Sequence, residues 1–247
     1  MSGLIDVHSH VLPGFDDGSK DPEETLTILE IAARAGFSDV VCTPHVIRGV
    51  YDHDGPEIRQ AVARLAEAVR ARGIAVALHA GAENFLDDTF FDLLEEGRPT
   101  AYRAGGKDLL VETPFLRIPQ YMEEITFRMM VKQYRPILAH PERYQDFIRK
   151  PKRVRELLDA GYRVQVNLGS FAELYGRDVR KTAEKFLALG VVHFAGSDVH
   201  SVPHAELIYG EGLARFRKAA GEEAFQRILV ENPAALIAPA QARTQAG

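Results

Sequence analysis

An α/β barrel is the fold class that this sequence predicts, and three observations carry the prediction. Apolar, β-branched runs alternate with helical stretches along all 247 residues, the pattern of a parallel sheet. Seven such runs occur. Most end in a histidine or carboxylate followed by a turn, and the carboxyl ends of the strands are where α/β barrels carry their active sites. No linker, repeat or low-complexity tract interrupts the pattern, so a single domain over 1–247 is expected.

The first run is Leu4-Ile5-Asp6-Val7-His8-Ser9-His10. Side-chain alternation sends Asp6, His8 and His10 to one face. The two imidazoles make a platform for a divalent transition metal, with Asp6 placed to orient one of them from behind. Asp21-Pro22-Glu23-Glu24 then supplies an N-cap, a first-turn proline and first-turn acids; Leu26, Leu29 and Ala33 mark an apolar face, and Gly36 stops the helix. Val40-Val41-Cys42-Thr43 leads to Pro44-His45. A helix near 56–72 shows Ala61, Leu65 and Val69 as a core stripe. Ala75-Val76-Ala77-Leu78 leads to Glu83, Leu109-Leu110-Val111 to Glu112, and Pro136-Ile137-Leu138-Ala139 to His140-Pro141-Glu142-Arg143. Val164-Gln165-Val166-Asn167 is the sixth run. Val192-His193-Phe194-Ala195-Gly196-Ser197 is the seventh and delivers Asp198 and His200. Further helices are expected near 120–133, 151–160, 178–189 and 212–218.

Composition bounds the function. A 46% hydrophobic chain of this length supports one sizeable core. A net charge of −5 argues against a broad nucleic-acid footprint, and no apolar stretch reaches bilayer length. The first strand begins at once, leaving no room for a secretory signal, so a cytoplasmic location is expected. The single Cys42 excludes an intrachain disulfide framework and a cysteine-rich zinc site, and reads as a small buried hydrophobe. His79 and His193, inside strand runs, read as packing or hydrogen-bonding residues. The tail after Pro239 is expected to fray.

Asp6-x-His8-x-His10, Thr43-Pro44-His45, Glu83, His140-Pro141-Glu142-Arg143 and Ser197-Asp198-x-His200 together resemble the polymerase and histidinol phosphatase (PHP) superfamily. Gly14-Phe15-Asp16-Asp17-Gly18, the Pro22-Glu23-Glu24 helix and Glu231-Asn232-Pro233 are most similar to its bacterial capsular-polysaccharide protein-tyrosine phosphatases. The resemblance implies a distorted (β/α)7 TIM-like barrel of the PHP type and three divalent transition metals, manganese by preference, with iron or zinc as alternatives. It implies that His8, His10, Glu83 and Asp198 hold the first metal, that Glu83 bridges to a second completed by Glu112 and His140, and that Asp17, His45 and His200 hold the third. Carboxylates at Asp17 and Glu112, where many relatives have histidine, favour the tyrosine-phosphatase branch. Arg143 matches a family arginine that grips phosphate. The arginine usual in that branch after the last histidine is missing from Ser201-Val202-Pro203-His204-Ala205.

Three such ions, set against the carboxylates of Asp17, Glu83, Glu112 and Asp198, leave about two net positive charges, which suits a dianionic phosphate monoester. A bridging water deprotonated by coordination is the expected nucleophile, since coordination brings a water pKa from roughly 16 to about 7. Arg48, Tyr51, His53 and His204 are candidates for a substrate groove. The leading reading is hydrolysis of phosphotyrosine on a protein, by resemblance a bacterial tyrosine kinase of capsule or exopolysaccharide assembly. A phosphatase for a small metabolite such as histidinol phosphate and an inactive metal-binding regulatory protein are the competing readings. A homo-oligomer is compatible with each.

Overall fold

The computed structural model describes residues 3–238; the tail after Pro239 lies outside them. Among the described residues nine strands occupy seven positions around a barrel, all in parallel. β1 (Leu4–Ser9) pairs with β2 (Phe37–Cys42), and β2 with β4 (Ala77–Ala80). The second sheet runs β3 (His45–Val46), β5 (Glu83–Phe85), β6 (Asp108–Glu112), β7 (Arg135–Leu138), β8 (Arg163–Asn167) and β9 (Phe194–Gly196). β2 and β3 are one stave broken at Thr43-Pro44, because proline has no N–H for the ladder. The neighbouring stave bridges the break, with Gly81 N donating to Cys42 O at 2.9 Å and Glu83 N to Pro44 O at 3.1 Å. β9 returns to β1 through Asp198 N to His8 O (2.8 Å) and His10 N to Val199 O (3.0 Å), which closes the ring. The seven runs read from the sequence are thus seven staves, with edges shifted by a few residues.

The helices form an outer layer. α1 (Pro22–Arg34) starts on Asp21, whose side chain accepts from Glu24 N, and its chain turns back at Gly36 with φ +95°. α2 (Gly55–Arg72) has a full capping box between Asp54 and Glu57 and buries Ala61, Leu65 and Val69. α3 (Asp88–Glu95) is absent from the sequence expectations, although Asp87 caps it by accepting from Thr89 N and Phe90 N. α4 (Met122–Val131), α5 (Gln145–Arg149), α6 (Val154–Asp159), α7 (Leu168–Phe171) and α8 (Arg177–Ala188) follow. The expected helix near 212–218 is one part of a longer helical region: α9 (Val202–Leu207), α10 (Leu213–Ala220), α11 (Glu222–Gln226) and α12 (Asn232–Ile237), joined by π-helical turns at Ile208–Gly212 and Arg227–Glu231. These pieces are too short for an apolar stripe to stand out in sequence.

Strand alternation divides the core. Along β8, Val164 and Val166 pack outward with the helices, while Gln165 and Asn167 turn to the centre. Ile5, Val7, Val41, Leu110, Ile137, Ala139 and Phe194 plug the barrel from the strands. Cys42 is fully buried, and burial pushes its thiol up.

β1 departs from the simple alternation. Its register shifts between Asp6 and Ser9, and Asp6 does not orient a histidine ring as expected. Its carboxylate accepts instead from His8 N (3.1 Å), Ser197 N (2.9 Å) and the Tyr209 hydroxyl (2.7 Å). Asp6 therefore fastens β1 to the strand that closes the barrel. Asp6→Ala strands three buried donors and is expected to cost about 3–5 kcal/mol. Urea denaturation checks this; a loss below about 1 kcal/mol refutes the assignment.

Candidate metal centre

All nine ligand-type residues expected from the sequence come together at the carboxyl end of the barrel. They fall into four overlapping groups whose ligand atoms lie within 4.8 Å: His10, Asp17, His45 and His200; His8, His10 and Asp198; His8, Glu83 and His140; His45, Glu83 and Glu112. Each arrives from a strand end or the loop just after it, which is why separated segments converge. His140 and Asp198 reach their places with φ of +34° and +54°. For residues with a Cβ such conformations cost about 1–3 kcal/mol and persist where the surroundings impose them.

Glu83 is the hub. Its Oε2 lies 3.3 Å from His8 Nε2, 3.4 Å from His10 Nε2 and 3.1 Å from His45 Nδ1, and its Oε1 lies 3.0 Å from His140 Nε2. Asp198 Oδ1 sits 3.5 Å from His8 Nε2 and 3.3 Å from His10 Nε2. Asp17 Oδ1 is 3.6 Å from His45 Nε2 and 3.5 Å from His200 Nε2. Glu112 Oε1 approaches His140 Nε2 at 3.7 Å, and its Oε2 approaches His45 Nδ1 at 3.8 Å. His45 thus faces both the Glu83 side and the Asp17 side, where the resemblance assigned it to one metal alone.

The tautomers follow from the outer partners. Gln165 donates through Nε2 to Val166 O and Asn167 Oδ1, and its Oε1 accepts from His140 N. That same Oε1, 3.0 Å from His8 Nδ1, requires a hydrogen on Nδ1. Asp16 Oδ2, 2.7 Å from His10 Nδ1, requires the same of His10. The Nε2 lone pairs of both rings then point inward, 3.1 Å apart, at the oxygens of Glu83 and Asp198. Lone pairs converging on lone pairs repel unless a cation sits among them. Nitrogen and oxygen donors without thiolate suit manganese, iron or zinc.

The titration behaviour of the protein side chains expresses the same demand. Burial lowers the His10 pKa, but Asp16, Asp198 and Glu83 outweigh it and hold it well above the usual value. His8 is raised too: burial opposes, and Glu83 and Asp198 prevail. Burial, then the charges of Glu83 and Asp198, push Glu112 well up. Burial lowers His140 to about 4. Carboxylates that draw protons onto buried imidazoles mark a place built for positive charge.

Gln165 and Asp16 are the functional residues that the sequence reading missed. Asp16 also accepts from His45 N and Gly18 N, so one carboxylate organises two candidate ligands and the loop that carries Asp17. Its position inside Gly14-Phe15-Asp16-Asp17-Gly18 was the available signal. Glu142 is a third. Fully buried, it accepts from Asn167 N (2.8 Å) and Ser170 Oγ (2.7 Å), tying the turn of His140 and Arg143 to β8, and burial raises it to about 7.

Arg143 Nη1 donates to Asp198 Oδ2 at 2.9 Å, and the guanidinium lies between the rings of Phe115 and Tyr175 at 4.7 and 4.2 Å. Its other nitrogens have no protein partner among the described residues. Tyr51 stacks on the His45 ring at 6.0 Å. His53 contacts the Phe15 carbonyl at 2.6 Å. Arg48 is turned to Asp92 at 3.5 Å, and His204 is exposed on α9. His79 pairs with Asp39, and His193 Nδ1 accepts from Val164 N, as the packing reading expected.

Seven parallel staves with a histidine-carboxylate cluster at their carboxyl ends place the chain among the TIM-like barrels of the PHP type. It belongs to the capsular polysaccharide synthesis CpsB/CapC family, whose model matches residues 4–238. The tyrosine-protein phosphatase YwqE of Bacillus subtilis is 28% identical over 235 residues, covering 95% of this chain and 91% of YwqE. The tyrosine-protein phosphatase CpsB of Streptococcus pneumoniae is 27% identical, with 95% and 98% covered. A crystal structure from work on these two metal-dependent tyrosine phosphatases superposes with a TM-score of 0.85 at 27% identity, over 95% of this chain and 94% of the other.

Proposed function

We propose that the protein is a metal-dependent protein-tyrosine phosphatase acting in the cytoplasm on a bacterial tyrosine kinase of capsule or exopolysaccharide assembly. The observation that carries the reading is the inward-facing cluster around Glu83, in which all nine expected donors meet. In this proposal His8, His10, Glu83 and Asp198 hold a first metal, Glu83, Glu112 and His140 a second, and Asp17, His45 and His200 a third, with manganese the preferred ion. Bound divalent ions supply Lewis-acid stabilisation of phosphoryl oxygens and lower the pKa of water. The protein's own part is to keep His8 and His10 in the Nδ1–H tautomer through Gln165 and Asp16, to fix Asp198 through Arg143 and Asn167 Nδ2 (2.6 Å), and to offer the remaining Arg143 donors to a phosphate. No helix among the described residues is long and apolar enough to cross a membrane.

The relatives' names support phosphotyrosine over histidinol phosphate. Retention of the complete donor set argues against an inactive regulatory protein. The test is a panel of phosphotyrosine peptides and small phosphate esters assayed with added manganese. Faster cleavage of histidinol phosphate than of every phosphopeptide would overturn the tyrosine-phosphatase assignment. In the same assay Arg143→Ala is expected to raise KM and lower kcat, reducing kcat/KM by about 10–100-fold with metal content unchanged. An unaltered kcat/KM removes Arg143 from phosphate binding.

A further inference from the structure

The segment that links α3 to β6 packs against the first turn of α2 and forms with it a half-open cavity of about 390 Å³. Arg59, Arg98, Arg103 and Lys107 line it, with Asp54 as the only carboxylate on its wall. Arg98 is neutralised by Glu96 at 2.9 Å. Among the described residues Arg59, Arg103 and Lys107 have no carboxylate partner within ion-pair distance. Arg103 Nε is buried without a hydrogen-bond partner, and Lys107 Nζ rests 4.1 Å over the Tyr134 ring. Asp54 is committed to the α2 cap, accepting from Glu57 N at 2.9 Å. Three unpaired cations against one carboxylate leave two net positive charges around one cavity, in a chain whose overall charge is −5.

Cations gathered in a concavity repel one another, and a bound polyanion relieves that repulsion. The backbone is open to close approach, since Gly105 adopts φ +66° and nothing lies within 4 Å of where a Cβ would stand. At Gly55 a Cβ would come within 2.9 Å of Arg59 Nη1, so glycine lets that guanidinium lie across the start of α2. The cavity is within the range of small-ligand sites. We propose that it is a binding site for a small polyanion carrying two or more phosphate groups, of the nucleoside polyphosphate or inorganic polyphosphate class. It is separate from the metal centre, with which it shares no lining residue.

Calorimetric titration of the manganese-loaded protein with magnesium–ATP, magnesium pyrophosphate and inorganic phosphate tests it. One equivalent of magnesium–ATP or pyrophosphate is expected to bind with Kd on the order of 10–100 µM and to weaken steeply with salt. Arg103→Gln and, independently, the more peripheral Lys107→Gln should each weaken that binding at least about tenfold. Their melting temperatures and hydrolysis of p-nitrophenyl phosphate should match the parent protein. Arg143→Ala should bind both probes as the parent does. A preference of ATP over pyrophosphate points to a nucleotide source, and equal affinity to the phosphates alone; either supports the site. Binding no tighter than that of inorganic phosphate, full affinity in both glutamine variants, or loss of binding in Arg143→Ala instead overturns it.

Discussion

Glu83→Gln is expected to reduce turnover of a phosphate monoester by about a thousand-fold or more, with the barrel still folded. One carboxylate touches four imidazoles, at 3.0 to 3.4 Å. Glutamine keeps the volume but removes the charge, and it presents an amide N–H to lone pairs that already face one another. The several kcal/mol of charge stabilisation that a metal site contributes to a barrier are then lost. Steady-state kinetics, circular dichroism and metal analysis of the purified variant check this together. A variant that retains near-parental kcat at limiting manganese sinks the proposed role of Glu83 as the shared ligand.

Removal of metal is expected to lower the melting temperature by roughly 5–10 °C for each site emptied. A ligand present at a hundred times its Kd contributes about 2.7 kcal/mol, and a chain of this size shifts by about 2–4 °C per kcal/mol. The metal-free protein should also lose stability as pH rises above about 6.5, the ordinary histidine value. Above that pH the raised His8 and His10 hold protons that the unfolded chain has released, so stability falls as pH rises through their folded values. Below it His140, lowered to about 4, and His45, also lowered by burial, stay neutral while the unfolded chain takes up protons. Between about pH 4.5 and 6.5 the raised carboxyls of Glu112 and of Glu142, the latter at about 7, hold protons in the folded protein and offset that loss, so stability stays nearly level there. Metal competes with protons for these nitrogens, so its stabilisation should be larger at pH 8 than at pH 6. Thermal melts with EDTA and with manganese across this range decide the matter; superimposable curves would refute a folded-state metal.

Much of the donor set was legible because each ligand follows an apolar run, and a parallel barrel brings all such ends to one rim. His8, His45, Glu83, Glu112, His140 and Asp198 could be read that way. Their supporting partners could not. Gln165 is one polar residue inside a strand, and only the barrel's closure brings its Oε1 to His8, across 157 positions of sequence. Asp6 misled because the register shift inside β1 breaks the period of two on which its placement depended. The cations of the second cavity lie on separate elements, α2 and the α3–β6 link, so nothing in their spacing announces that they meet.

The join between β1 and β9 has a topological meaning. Ser197 Oγ donates to the His8 carbonyl across 189 positions, so these contacts turn nearly the whole chain into one loop. An ion held jointly by His8, His10 and Asp198 would act there as a reversible clasp between the two ends of the folded chain, released when they part. The protein has a single cysteine and cannot form a disulfide within the chain. In such a barrel the supply of metal would govern how readily the two ends of the chain part, and the first amides to exchange in metal-depleted protein would be those of this join.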